Sequence, residues 1–261
     1  MTEGASMEHT RDKRSAFRLG AIIFVYLAAL TGLEFFVAVT FASVVILLTV
    51  AVIKAALVAY YYMHIYRLNA ENEGGHESIA YKAGTNRLGL WLFLLSDSFV
   101  FGGLMVTRVN LLGMTRPELN QLLGLAVTSV LLASSFFMNR GESAMSHGDR
   151  KGFLLNTSVT LALGVAFLLG VVGLEWPTAI HEGISPDSGA AGAVFFMMTG
   201  MHAFHVFSGV VFLLVILNNG RRGLYSAEKH WAVEAGAVYW HFVDLVWIFF
   251  YPALYLVGSI A

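Results

Sequence analysis

Seven apolar runs, each about twenty residues or longer, leave this chain few folds to choose from. A run of that length wound as an α-helix crosses the ~30 Å hydrocarbon core of a bilayer. The remainder of the composition agrees: among 261 residues, 57% are hydrophobic and 13% charged, and the mean hydropathy is +0.69. A soluble domain of this size needs more charge to cover its surface. The fold class expected is therefore an all-α integral membrane protein with seven transmembrane helices.

Residues 1–17 form a polar N-terminal segment of mixed charge, read as poorly ordered. From Leu19 to Met63 the chain is apolar except for Glu34 and Lys54. One helix of that length would be roughly 65 Å long at about 1.5 Å per residue, twice what a membrane needs. Two spans with a tight turn near Thr40–Ser43 are more economical, so residues 18–68 read as a transmembrane hairpin. Residues 69–86, with Glu71, Glu73, Gly74, Gly75 and His76, form a polar linker and the clearest domain boundary. Residues 87–261 then hold five apolar runs, Leu88–Thr107, Leu119–Met138, Phe153–Leu174, Ala191–Leu217 and Trp231–Val257. Turn formers separate them: Arg116-Pro117, Asn139-Arg140-Gly141, Pro177 with Pro186, and Asn218-Asn219-Gly220. No internal repeat of the transporter kind is visible, and no cleavable signal peptide is expected.

Charge placement orients this arrangement. With the N-terminus cytoplasmic, the inner segments hold Arg11, Lys13, Arg14, Arg18, Arg67, Lys82, Arg87, Arg140, Arg150, Lys151, Arg221, Arg222 and Lys229. The outer segments hold only Arg108 and Arg116, and Lys54 lies within a span. A bias of 13 to 2 follows the positive-inside rule. An error of one helix would invert every later loop, so the C-terminus is expected outside. The net charge of −1 gives no reason to expect nucleic acid, and the lack of cysteine removes disulfides, iron–sulfur clusters and thiolate-bound metals.

Ionisable groups within membrane spans are costly and tend to face protein or water. Here they are Glu34, Lys54, Asp97, His202, His205, Glu234, His241 and Asp244. Glu34 and Lys54 lie on consecutive antiparallel spans within roughly a helical turn of each other in depth. They suit a buried ion pair locking the hairpin; the plainer alternative gives each a partner in a neighbouring subunit. His202 and His205, spaced i, i+3, share a helix face, which suits either a metal site or a hydrogen-bonded structural pair. His241 and Asp244 repeat that spacing and can bond to one another or across helices. His64, after three tyrosines, fits an interfacial belt. Haem between His202 or His205 and His241 is a further reading that spacing leaves open.

Several blocks resemble haem–copper oxidase subunit III. "TGMHAFHVFSGVVFL" (Thr199–Leu213) is similar to its Thr-Gly-x-His-x-x-His-Val signature, and "HWAVEAGAVYWHFVDLVWIFFYPALYLVG" (His230–Gly258) to its last helix. "WLFLLSDSFVFGG" (Trp91–Gly103) resembles the family's Leu-Ser-Glu helix, with Asp97 in place of the glutamate, and "GLEW" (Gly173–Trp176) the Glu-aromatic end of a later one. These blocks stand in family order across Leu88–Ala261, covering five helices where the family has seven. The hairpin carries another likeness: "YLAALTGLEFF" (Tyr26–Phe36) and "VIKAALVAYYYMHI" (Val52–Ile65) resemble the two-helix bacterial oxidase subunit IV. The chain thus reads as subunit IV fused to subunit III, with the hairpin occupying some of the space of the two missing helices.

The resemblance implies a non-catalytic subunit of a proton-pumping terminal oxidase in the bacterial cytoplasmic membrane. Such a subunit belongs to an oxidoreductase complex but holds no redox centre or metal of its own, the haems and copper residing in partner subunits. It flanks subunit I beside subunit II, binds phospholipid in a cleft and supports proton uptake; a wider respiratory supercomplex is a further context. Under this reading Asp97, Glu234, His241 and Asp244 form a polar, proton-linked interior. His202 and His205 become an interhelical hydrogen-bond pair near the lipid cleft with Glu175 and Trp240, and Glu34–Lys54 the hairpin ion pair. Two rival readings are a subunit III-like accessory protein of nitric oxide reductase and a haem-binding membrane electron carrier. Whether cytochrome c or quinol is the electron donor is not written in this chain.

Overall fold

The computed structural model describes residues 2–40, 43–63 and 79–260. It contains seven helices long and apolar enough to cross a membrane. Helix α1 spans Thr2–Thr40 and α2 spans Val44–Leu57, the latter continuing into a π-helical turn at Val58–Tyr62. Ser43 is extended between them, so the chain reverses at the expected place. Helix α3 covers Ile79–Leu112, α4 Gln121–Ser146 and α5 Arg150–Leu168. A π-helical stretch, Leu169–Glu175, joins α5 to the short α6, Trp176–His181. Helix α7 covers Ala190–Arg221, and α8 covers Trp231–Tyr251 before a last π-helical turn at Pro252–Leu256. Two strands of two residues each, β1 (Thr115–Arg116) and β2 (Ser259–Ile260), pair in parallel and tie the chain's end to the α3–α4 loop.

Helix α8 is the axis of the molecule. Its most apolar stretch is 83% buried, against 11% for the matching stretch of α3, which stands at the edge. Tryptophans fasten α8 to α4 at two depths: Trp240 Nε1 donates to Ser134 Oγ at 3.0 Å and Trp247 Nε1 to Thr128 Oγ1 at 2.9 Å. Such bonds let an indole be buried without leaving its N–H unsatisfied. Small residues make room for the rings. A Cβ on Gly164 of α5 would lie 2.5 Å from Trp240 Cη2, and one on Gly209 of α7 would lie 3.0 Å from its Cε3 and Cζ3. Close helix approach through glycine is a common solution where lipid supplies no hydrophobic drive between helices.

Several boundaries differ from the sequence expectation, for identifiable reasons. The polar segment 1–17 is not separate: α1 is continuous from Thr2, and no proline precedes Pro117. The linker 69–86 gives way to helix at Ile79, while most of it, with His64, lies outside the described residues. Asn139-Arg140-Gly141 and Asn218-Asn219-Gly220 are not turns. Helix α4 runs on to Ser146, turning at His147–Asp149, where Gly148 has φ 71°, and α7 runs on to Arg221. In both places glycine serves packing: a Cβ on Gly141 would meet Thr157 Oγ1 at 3.0 Å, and one on Gly220 would collide with the Phe153 ring. Pro177 lies within α6, directly after the π-helical stretch, and Pro252 opens another. A widened π turn relieves the clash and lost bond that proline imposes on an α-helix.

The hairpin packs chiefly against α4 and α8, whereas α3 packs on α7 and α8.

Candidate functional site

The polar side chains buried in this bundle gather into separate seams, each set by which helices meet there. At the edge seam, α3 brings Asp97 to α7. His205 Nε2 lies 3.4 Å from Asp97 Oδ1 and 3.2 Å from Oδ2. Its other nitrogen, Nδ1, lies 2.8 Å from the Met201 carbonyl oxygen. A carbonyl can only accept, so Nδ1 donates and the proton of the remaining contact lies between Nε2 and the carboxylate. The pair is then either imidazolium with carboxylate or neutral imidazole with carboxylic acid, two placements of one shared proton. Tyr239 of α8 and Ser208 complete the group, their hydroxyl oxygens 2.6 Å apart, with Tyr239 also donating weakly to the His205 carbonyl at 3.4 Å. The Phe101 ring stands edge-on to His205 at 4.7 Å. Asp97 and His205 keep 16% and 11% side-chain exposure, so this seam opens toward the molecule's surface.

His202 does not share that environment. It is fully buried, Nε2 donates to the Val243 carbonyl at 3.0 Å, and its ring packs against Trp247 at 4.7 Å. The two histidines therefore bond to different helices, His202 to α8 and His205 to α3, rather than to one another.

The inner seam lies where the hairpin meets α4 and α8. Lys54 Nζ donates to Glu34 Oε2, and both side chains are sealed from solvent. Ser135 of α4 lies 3.3 Å from His241 Nδ1 and also hydrogen-bonds the Asp244 carboxylate, which the Lys54 charge reaches. The i, i+3 pair of His241 and Asp244 thus reaches across to α4 instead of closing on itself. Tyr62 packs its ring 4.9 Å from His241 and donates to the Gly20 carbonyl at 3.2 Å.

Two further contacts flank these seams. Arg87 holds Glu234 with two bonds, Nε to Oε1 at 2.9 Å and Nη2 to Oε2 at 3.0 Å, a fork that joins the start of α3 to the first turn of α8. Glu175 accepts from Tyr255 Oη at 2.7 Å and is 4% exposed. A lipid cleft was expected around His202, Glu175 and Trp240, but all three are enclosed by protein, Trp240 at 1% exposure. Of that group only His205 stands near the surface.

Sequence reasoning missed Arg108, which counted only as an outer-loop charge. It is 2% exposed, and its guanidinium donates to four carbonyls: Ala253 at 2.8 Å, Gly113 at 2.5 Å, and Thr115 and Val257 at 3.0 Å. The acceptors are backbone groups freed by the π-helical end of α8 and by the turn after α3. The one visible signal was a cation near the end of an apolar run with no acid beside it.

Among the described residues no group of three histidine or acidic side chains is placed to hold a metal ion. A multi-pass helical membrane protein with carboxylates bound to histidine, lysine and arginine inside it is the class that fold and seams define. Comparison with known proteins narrows that class: the model of the family "Cytochrome c oxidase subunit III" matches residues 13–259. The chain belongs to that family. The match takes in the hairpin as well as the later helices, a wider span than the five-helix likeness read from motifs. Named relatives include cytochrome c oxidase subunit 3 of Thermostichus vulcanus, 35% identical over 176 residues, which are 65% of this chain and 86% of that one. The horse protein, from Equus caballus, is 34% identical over 72% of this chain and 74% of its own length. The pig protein, from Sus scrofa, is 32% identical over 82% and 85%.

Proposed function

We propose that this chain is a non-catalytic subunit of a proton-pumping haem–copper terminal oxidase, seated against the catalytic subunit I beside subunit II in a bacterial cytoplasmic membrane. Its N-terminus faces the cytoplasm, in keeping with the basic inner segments. The haems and copper belong to the partner subunits; this chain's contribution is structural and proton-linked. The observation that carries the reading is the Asp97–His205 pair, a part-buried carboxylate–histidine contact that keeps an opening to the surface. A carboxylate and imidazole that share one proton, set at the protein's edge, can hand a proton to a neighbouring subunit or buffer one near its entry point.

A groove of about 450 Å³ between α3 and α7, lined by Leu104, Thr107, Leu111, Val194 and Met197, suits an acyl chain and supports phospholipid binding on this side. The subunit IV-like motifs of the hairpin support a fused origin for its two helices.

The test is Asp97→Asn in the assembled oxidase, with proton pumping and turnover lifetime measured beside the parent. Asparagine keeps the shape but cannot exchange the proton. The expected result is normal initial oxygen consumption with a shortened lifetime or lowered pumping; unchanged values in both would remove Asp97 from proton traffic.

A further inference from the structure

Among the described residues, the inner seam does not balance in fixed charge. Two carboxylates, Glu34 and Asp244, share one ammonium, Lys54, in a place with 0%, 2% and 1% exposure respectively. Lys54 is committed to Glu34 Oε2 and reaches Asp244 by charge alone. One oxygen of each acid, Glu34 Oε1 and Asp244 Oδ2, is buried with no hydrogen-bond partner among the described residues. Among the described residues, the groups facing the seam from the packed elements supply no second cation of fixed charge. They are Tyr62 from the π turn after α2, Ser135 from α4, and His241 and Tyr251 from α8. A buried carboxylate left uncompensated in a membrane interior is far costlier than the same group carrying a proton. Two buried acids that share one ammonium favour a state in which only one is ionised.

We infer that Glu34, Lys54 and Asp244 form a proton-binding site where the hairpin meets the bundle, holding one exchangeable proton on Asp244 while Lys54 pairs with Glu34. The ligand is a proton rather than a metal ion, because no three-ligand set exists among the described residues. The site is distinct from Asp97–His205, which lies between α3 and α7. Its occupancy depends on Lys54: any change that turns the ammonium from Glu34 toward Asp244 moves the proton to Glu34 or expels it. A site straddling the hairpin and α8 therefore couples proton occupancy to how the hairpin seats, independently of the role proposed for Asp97.

Infrared spectroscopy of the complex purified through this chain tests the site, read at the carbonyl stretch of protonated carboxylic acids with a deuterium-oxide shift to mark exchange. The parent should show an exchangeable band that Asp244→Asn abolishes. Glu34→Gln should abolish it too, although Asp244 is intact, because the freed ammonium then ionises it. Lys54→Met should add a second band as both acids take up protons. An Asp244→Asn spectrum identical to the parent, or a band that survives Glu34→Gln, would overturn the inference. Should Asp244→Asn fail to assemble, the Glu34→Gln and Lys54→Met spectra decide alone.

Discussion

Two glycines one chemical step from alanine should respond with opposite signs. At Gly164 a new Cβ would sit 2.5 Å from Trp240 Cη2 and 2.9 Å from Cζ2, inside the ordinary carbon–carbon contact range of about 3.5–4.0 Å. The indole cannot retreat, because its N–H is tied to Ser134 and Gly209 closes its other side. Overpacking of this kind costs about 1–3 kcal/mol, while alanine returns about 0.5–1 kcal/mol of helix propensity. Gly164→Ala is therefore expected to destabilise by about 1 kcal/mol net. Gly102 of α3 has no atom within 4 Å of such a Cβ, so Gly102→Ala is expected to be neutral or stabilising by up to about 1 kcal/mol. The assay is thermal unfolding of the purified complex in mild detergent, with Gly164→Ala/Trp240→Phe closing a double-mutant cycle. The smaller ring should recover most of the packing loss while forfeiting the indole bond, worth about 1 kcal/mol. Equal stabilisation at both glycines, or no coupling between positions 164 and 240, would refute the placement of Trp240 between α5 and α7.

Two other substitutions probe the buried charges. Lys54→Met leaves Glu34 to take up a proton and should lower stability by up to about 3–5 kcal/mol, whereas Glu34→Gln/Lys54→Met should lie near the parent in the same unfolding assay. Arg108→Ala removes the donor from four carbonyls and should loosen the C-terminal end of α8, seen as faster amide hydrogen exchange over residues 252–260; unchanged exchange there would show that the guanidinium is not the clasp.

Membrane class, helix number and the reversal near Thr40–Ser43 were legible in the sequence because apolar length and the cost of buried charge act locally. Helix ends were not, since a glycine that admits a neighbouring side chain looks the same in one dimension as a glycine that ends a helix. Gly141 and Gly220 are both of the first kind. For the seams, the sequence located the costly groups but not their partners. Asp97 and His205 stand 108 residues apart and Arg87 and Glu234 147 apart, so their pairing follows from how α3 leans on α7 and α8. Arg108 was hidden for a related reason: its acceptors are backbone carbonyls, which no residue letter marks.

Purification through a tag on this chain in mild detergent, followed by a reduced-minus-oxidised spectrum and mass spectrometry, bears most directly on the proposed role. Haem absorbance together with co-purifying subunits I and II is the result the account predicts. A colourless chain without those subunits, or haem bound to the chain in isolation, would contradict it.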